Sequence, residues 1–568
     1  MSDLFLGPDR PTDLEARTVD AVLGDHGPAI AVETERLVLG GRQRQRDRRH
    51  LLLPALIALQ EEVGWISPGG LNHVADRLQV PPADAYGVAT FYELLRTTEP
   101  THDGPTTWVC VDAACRIQAE AAAVPEGTEA HPAPCLGRCE QAPAAWVQRR
   151  GSPWPATGPA EAALPQADQG GLRLLRRVGV VDPASLDSYL AHGGGEALAR
   201  ARELGPDAVI ATITESGLSG RGGAAFPTGV KWRAVRDAVG DRKHVVVNAD
   251  ESEPGTFKDR TLLERDPFAV VEATVIAAEA VGADEAWVYV RGEYPEAAAR
   301  VEAAAAQAGA AGWLRDGLRV QVRRGGGAYI CGEETALFNS IEGFRGEPRN
   351  KPPFPTTHGL FGRPTAINNP ETLLNVLPIL VEGPEAYRAV GTEQSPGTRL
   401  FCLSGRVGRP GVYEAPFGIT LGELLELGGG VVGDLAAVLL GGAAGVFVGP
   451  DRLDLALTLE DTRAAGATLG SGVVMAFATT DDLTDVVVRI AEFFRSESCG
   501  QCVPCRVGTV RVHETMVQMR DRGRLTDDRR ALLDEMAAAM TDASICGLGH
   551  TAVGAVRSAL DLGLVGAP

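Results

Sequence analysis

The chain has little of what a membrane, secreted or nucleic-acid-binding protein needs. Its longest apolar stretches, such as Ala269 to Ala283, are broken by Glu272 and Glu279 and fall short of a clean span of about 20 residues. The opening residues Met1 to Arg10 lack the basic-then-apolar order of a secretion signal, so a cytoplasmic location is the expectation. Positive charge is scarce: 54 Lys and Arg against 74 Asp and Glu leave a net charge of −20 and a pI near 5.1. That balance disfavours the basic face that nucleic acid requires. The one basic run, Gly41 to His50, has no interleaved aromatics and reads as a solvated helix start. There is no Walker loop, no repeat of fixed period and no convincing Ser/His/Asp or Cys/His set.

What is present is length and cysteine. At 568 residues the chain exceeds one hydrophobic core and calls for about three to five domains. A hydrophobic share of 44% and a charged share of 23% are ordinary for a globular protein. Ten cysteines in a chain read as cytosolic are ligands or redox groups before they are disulfides. Eight fall into two sets of four, whereas Cys331 and Cys402 stand alone and read as buried, inert thiols.

The pattern of elements gives a multidomain α/β protein. Residues from about Leu14 to Leu95 have helical periodicity, as in Leu51 to Glu62 and Gly70 to Leu78. Strand-like Thr106 to Val111 and Ala144 to Gln148 flank the first cysteine set in a compact α/β unit, which closes a region 1–150. A Gly, Pro and Ala-rich linker is expected at 151–171. In 172–395, strands such as Lys243 to Asn248 and Ala286 to Arg291 alternate with Ala-rich helices, and most Gly-rich loops lie here. A small α+β insert follows at 396–480, and 481–568 is helical.

Near the C-terminus, Cys499, Cys502 and Cys505 form two successive CxxC steps, and Cys546 follows after 40 residues. Three thiolates on one turn plus one remote suit a [4Fe-4S] cluster, with a four-cysteine zinc site as the alternative. The first set, Cys110 with Cys115 and Cys135 with Cys139, is two pairs, which suits the two irons of a [2Fe-2S] cluster, again with zinc as the alternative. The loop Gly220 to Trp232 gathers glycines with Arg221 and Lys231, a composition able to approach and neutralise a phosphate, although Glu215 to Ser219 before it makes a poor strand. Asn248 to Gly255 and Gly325 to Glu334 place amides and carboxylates at strand ends, where a flavin or ribose can be hydrogen-bonded.

These segments resemble the flavoprotein electron-input module of respiratory complex I and of its relatives, the NAD-dependent formate dehydrogenases and NAD-reducing hydrogenases. The resemblance runs over most of Leu172 to Leu564. It rests on GRGGAAFPTGVKW at Gly220 to Trp232, NADESEPGTFKDR at Asn248 to Arg260, GAYICGEETAL at Gly327 to Leu337, KPPFP at Lys351 to Pro355, Ile367 to Thr372 and the C-terminal cysteines. The first 150 residues resemble the thioredoxin-like [2Fe-2S] subunit of the same systems, on Gln60 to Ile66 and Tyr86 to Tyr92. Only 19 residues separate Cys115 from Cys135, so an element of that fold is expected to be trimmed.

The resemblance implies a helical bundle with a thioredoxin-like [2Fe-2S] domain, a central FMN- and NAD-binding domain, a ubiquitin-like insert and a helical [4Fe-4S] domain. It implies FMN against Gly220, Arg221, Gly222, Gly223, Lys231, Asn248, Asp250, Glu251, Ser252, Asn368, Asn369 and Thr372. It places NAD(H) above the flavin, with Phe226 and Phe354 near the adenine, Lys351 near the phosphates and Glu253 and Glu333 or Glu334 near the ribose, and it counts Tyr329 and Gly332 among the cofactor-binding residues. It implies a hetero-oligomer, such as a dimer of heterodimers, whose partner performs the second half-reaction. No site for formate, hydrogen or quinone is visible in this chain. The Ala543 to His550 segment and the fused layout lean toward a molybdenum or tungsten formate dehydrogenase as partner, ahead of a nickel-iron hydrogenase or complex I.

Overall fold

The computed structural model describes residues 4–24, 48–101, 104–118, 124, 127–151, 164–240 and 242–566. Most of the basic run and residues 152–163 of the expected linker lie outside the described residues.

The chain begins with the helices Asp13–Leu23, Leu52–Val63, Pro68–Leu78 and Pro82–Ala89. Thr12 and Glu15 close a reciprocal capping box on the first, and Ser67 caps the third ahead of Pro68. A three-stranded sheet follows: β1 (Thr106–Cys110) lies between parallel β2 (Glu129–Ala133) and antiparallel β3 (Ala145–Gln148). Among the described residues the one-turn helix Ala113–Arg116 lies between β1 and β2.

The central sheet is parallel, in the order β6-β5-β4-β7, with β4 at His244–Ala249, β5 at Glu285–Val290, β6 at Arg319–Arg324 and β7 at Thr365–Asn368. Helices cover it, and the apolar runs 245–247 of β4 and 286–290 of β5 are buried. The long apolar stretch of the sequence is the buried helix Pro267–Val281. Its carboxylate is satisfied inside the protein: Glu272 accepts hydrogen bonds from Tyr189 Oη at 2.6 Å, Gly195 N at 2.8 Å and Leu198 N at 2.9 Å. Among the described residues no helix is long and apolar enough to cross a membrane.

The insert is a five-stranded sheet with its own core, in the order β11-β10-β12-β8-β9. Its strands are β8 (Thr398–Gly405), β9 (Gly411–Pro416), β10 (Leu435–Leu440), β11 (Val446–Val448) and β12 (Val473–Ala478). Residues 164–171, expected as linker, instead pack on it: the buried Gln166 side chain bonds both the N–H and the carbonyl of Glu414. The helices Leu483–Glu497, Val503–Arg522, Asp527–Ala543, Gly547–Thr551 and Gly554–Asp561 complete the chain.

One continuous core links the N-terminal helices, the central sheet and the C-terminal helices. A small separate core around β1–β3 contains Trp108, Trp146, Cys110 and Cys115. Cys135 and Cys139 pack into the main core instead. The first cysteine set therefore sits on the seam between two cores.

Candidate functional site

The loop Gly220 to Pro227 joins the helices Pro206–Glu215 and Thr228–Asp237, and no strand precedes it. Its backbone is bare by necessity: Gly223 has φ +116°, and a Cβ on Gly222 would lie 3.2 Å from Asn369 Cβ. Arg221 N donates to Thr372 Oγ1 at 2.8 Å. Asn369 caps the helix Pro370–Leu374 at the end of β7, and its amide is fixed by Lys258 Nζ at 3.3 Å and Asp259 Oδ2 at 2.6 Å. Asn368 Oδ1 accepts from Trp232 Nε1 at 2.9 Å. Lys231 Nζ donates to the Ile367 carbonyl at 2.8 Å, and burial lowers its pKa.

Two side chains expected at the flavin are committed elsewhere. The Arg221 guanidinium is fully buried, bonds Ser219, Tyr387 Oη and the Pro396 carbonyl, and lies 4.6 Å over the Phe417 ring. Its Nη groups lock the loop onto the insert, and its Nε is buried without a partner. The Glu251 carboxylate accepts from Thr256 Oγ1, Asp259 N and Arg260 N, each at 2.9 Å, so it serves the start of the helix Lys258–Arg265. Burial, with Asp259 adding, raises its pKa to about 7.

The rest of the Asn248 to Gly255 loop turns toward the Gly327 to Glu334 segment. Asn248 Nδ2 donates to the Gly332 carbonyl at 2.8 Å, and a Cβ on Gly332 would stand 3.4 Å from the Asp250 carbonyl oxygen. Ser252 Oγ donates to Asp250 Oδ1 at 3.1 Å, while Asp250 Oδ2 is buried without a partner. An orphaned buried acceptor beside a bare glycine backbone fits a polar ligand such as FMN. Glu253 accepts from Tyr329 Oη at 2.6 Å and Ala444 N at 2.7 Å, and burial raises its pKa to about 7.

On the outer side, Phe226 and Phe354 are 49% and 57% exposed, leaving aromatic surface free for a base. Glu333 caps the helix Glu334–Ile341, and Lys351 Nζ pairs with Glu333 at 2.9 Å and Glu334 at 2.6 Å. Lys351 is thus already neutralised by carboxylates where a phosphate contact was expected. Tyr329 ties this side to the C-terminal helices: its N–H donates to Glu497 at 2.9 Å and its ring packs 5.1 Å from Phe493.

All four thiols of the first set are buried. Cys135 Sγ lies 3.4 Å from Cys139 Sγ, Gly137 N donates to Cys135 Sγ at 3.4 Å, and Ala144 N donates to Cys115 Sγ at 3.4 Å. Cys110 and Cys139 hold the Cys135 thiol well below its usual pKa, and against the cost of burial the Arg291 charge and the Gly255 backbone amide act the same way. In the second set Cys499 and Cys502 are half-buried, and Cys505 and Cys546 are buried. Cys502 and Cys546 stand at helix N-caps, where the peptide dipoles favour negative charge. Burial pushes Cys505 up to about 12 and Cys546 up to about 11. Among the described residues, no group of three or more His, Cys, Asp or Glu side chains is gathered closely enough to hold a single metal ion. Two buried or half-buried sets of four thiols fit iron-sulfur clusters. Cys331 and Cys402 are buried thiols with raised pKa, burial being the main cause, as inert cysteines should be.

Sequence reasoning missed the charged residues that support these sites. Lys258 is buried between Asp259 at 2.7 Å and Glu371 at 3.0 Å, behind Asn369. Asp112 Oδ2 accepts from Cys135 N at 2.6 Å, and its Oδ1 pairs with Arg489 at 2.6 Å. The available signal was a charge inside an otherwise apolar or ligand-bearing segment: Asp112 between Cys110 and Cys115, Lys258 within the quoted Asn248 to Arg260 motif.

Three family profiles match the chain: Thioredoxin-like [2Fe-2S] ferredoxin over 41–131, Nuo51 FMN-binding domain over 213–378, and NADH-ubiquinone oxidoreductase-F iron-sulfur binding region over 485–562. The first match ends before Cys135 and Cys139. An F-type subunit of NADH-quinone oxidoreductase from Rhizobium meliloti is 43% identical over 68% of this chain and 94% of its own length. The F-type subunit of the Aquifex aeolicus NADH-quinone oxidoreductase is 40% identical over 68% and 92%. The HndC subunit of the NADP-reducing hydrogenase of Solidesulfovibrio fructosivorans is 39% identical over 68% and 80%. A chain of the air-oxidized NAD+-reducing [NiFe]-hydrogenase superposes with a TM-score of 0.77 at 32% identity, over 91% of this chain and 93% of that one. The iron-sulfur description covers all four cysteines of the second set, and the [2Fe-2S] description covers Cys110 and Cys115 of the first, which favours clusters over zinc.

Proposed function

The chain belongs to the family of F-type subunits of NADH-quinone oxidoreductase, and from that premise we propose that it is the diaphorase subunit of a larger redox complex, exchanging electrons between NAD(H) and a partner subunit. It is an NADH-oxidising oxidoreductase with FMN-binding, [2Fe-2S] and [4Fe-4S] regions. The observation that carries the reading is the packing of the bare Gly222 backbone against Asn369 at the carboxyl end of β7, in a chain that also holds two four-thiol sets.

Bound FMN supplies conversion between paired and single electrons. The chain's own residues bind and orient. Gly222 and Gly223 offer N–H groups and room, and Gly220, whose own N–H is donated to the Phe226 carbonyl, shapes the loop; Lys231 supplies the positive charge for the phosphate; Asn248, Asp250, Ser252, Asn368, Asn369 and Thr372 set the polar rim. Phe226 and Phe354 flank the adenine, and Glu253, held by Tyr329 and Ala444, faces the ribose with Glu333, Glu334 and Gly332 at the edge. Once ionised, Glu253 repels a 2′-phosphate, which favours NAD over NADP.

The reading includes a cytoplasmic hetero-oligomer, such as a dimer of heterodimers, and a partner that oxidises formate or hydrogen, or that passes electrons on toward quinone as in the NADH-quinone oxidoreductases. The Ala543 to His550 segment favours formate oxidation at molybdenum or tungsten. The full-length likeness to a hydrogenase chain favours hydrogen oxidation at nickel-iron. Purification of the native complex with metal analysis separates them: molybdenum or tungsten supports formate and nickel supports hydrogen. NADH-dependent reduction of an artificial acceptor by the purified chain tests the diaphorase itself, and its absence in flavin-replete protein contradicts it.

A further inference from the structure

The [2Fe-2S] ligand loop is gripped by groups that its own small domain does not supply. Arg291, just past β5 of the central sheet, is 2% exposed and donates to the Cys135 carbonyl at 2.7 Å and the Glu251 carbonyl at 2.8 Å. Its remaining bonds go to Glu293, itself buried, at 2.8 Å and 3.0 Å. The other side of the same residue is held by Asp112, through Cys135 N, and Asp112 is anchored by Arg489 of the helix Leu483–Glu497. Arg260 Nε donates to the Gly137 carbonyl at 3.0 Å.

We propose that the Arg291–Glu293 pair sets the reduction potential of the [2Fe-2S] site from across the domain boundary, Arg291 acting as a positioning residue on Cys135. The inference rests on the iron-sulfur reading of the first cysteine set. Cluster potentials follow net charge, hydrogen bonding around the ligands and solvent exclusion. Here the guanidinium lies between the Cys135 carbonyl and the Glu293 carboxylate, so the positive member of the pair is nearer the ligand. Adding an electron raises the negative charge of the site. Arg291 therefore favours the reduced state, and Glu293 opposes it more weakly from behind. A purely structural pair predicts no such opposition, because losing either member only loosens the loop.

The test is an anaerobic redox titration of the full chain followed by electron paramagnetic resonance, with the [4Fe-4S] signal as internal reference. Arg291→Gln lowers the equilibrium constant for reduction of the [2Fe-2S] site at least tenfold, a shift of 59 mV for one electron. Glu293→Gln raises it at least threefold, and Arg291→Lys recovers most of the wild-type value. Shifts of both Gln variants in one direction, or both within twofold of wild type, overturn the proposal. If Arg291→Gln fails to assemble a cluster, Glu293→Gln decides alone: an upward shift supports the proposal, and none or a downward shift overturns it. A wild-type chain without a [2Fe-2S] signal contradicts the iron-sulfur reading itself, a separate failure.

Discussion

The two cysteine sets use the same four donors and are built in opposite ways. Cys110, Cys115, Cys135 and Cys139 are all buried on the seam between two cores, and the Cys135 loop is held by Arg291 and Arg260 of the central domain and, through Asp112, by Arg489 of the C-terminal helices. Cys499 and Cys502 stand half-buried on a turn opening into the long helix Val503–Arg522, whose Val503 and Val507 are exposed. Enclosure suits a carrier whose properties are set from within the chain. A partly open thiol turn with bare apolar neighbours suits a carrier that hands electrons to another subunit.

The largest expected effect comes from removing one ligand of each set. Cys505→Ser abolishes the [4Fe-4S] signal and electron delivery to the partner, while NADH still reduces the flavin. Cys135→Ser abolishes the [2Fe-2S] signal and leaves the [4Fe-4S] signal in place. Equal loss of partner reduction in both variants at full flavin content erases the distinction between enclosed and exit sites.

A matched pair of glycines sharpens the comparison. Gly137 has φ +62°, and a Cβ there would stand 1.9 Å from Tyr294 Oη; Gly500 has φ +79°, with nothing closer than Arg506 Cδ at 3.7 Å. Gly137→Ala combines backbone strain with overpacking and costs about 2–5 kcal/mol. Gly500→Ala carries the strain alone, about 1–2 kcal/mol. Thermal unfolding with cluster content checks the order; equal losses would mean that the first loop is no more tightly enclosed than the second.

Smaller effects belong to the cleft that feeds both sets. Lys231→Met removes a charged phosphate partner and weakens FMN binding by about 1.5–3 kcal/mol, roughly 10–100-fold, measured by flavin release. Both clusters remain reducible by dithionite in that variant, though no longer by NADH once flavin is lost. Glu253, with its pKa near 7, is protonated below that pH and ionised above it. The ratio of kcat/KM for NADH over NADPH therefore rises from pH 6 to pH 8, by about tenfold for one added like charge, and the rise is absent in Glu253→Gln.

The fold was legible wherever pattern and local chemistry agreed. Strand-like Lys243 to Asn248 is β4 at His244–Ala249, and Thr106 to Val111 is β1 at Thr106–Cys110. The poor strand signal at Glu215 to Ser219 was correct, because a helix ends there and the Gly-rich loop follows directly. Side-chain direction was not legible. Arg221 and Glu251 lie in the right motifs, but one guanidinium is spent on Tyr387, Pro396 and Phe417 and one carboxylate on a helix start, all of them tertiary facts. Nor could spacing show that Cys135 is gripped by Arg291, 156 residues later.

Anaerobic titration of the purified full chain with NADH, followed by absorbance and electron paramagnetic resonance, tests the central claim most directly. The account predicts flavin and iron-sulfur absorption bleached by NADH, with separate [2Fe-2S] and [4Fe-4S] signals appearing on reduction. A colourless protein containing zinc, or a coloured one that NADH leaves unchanged, would contradict it.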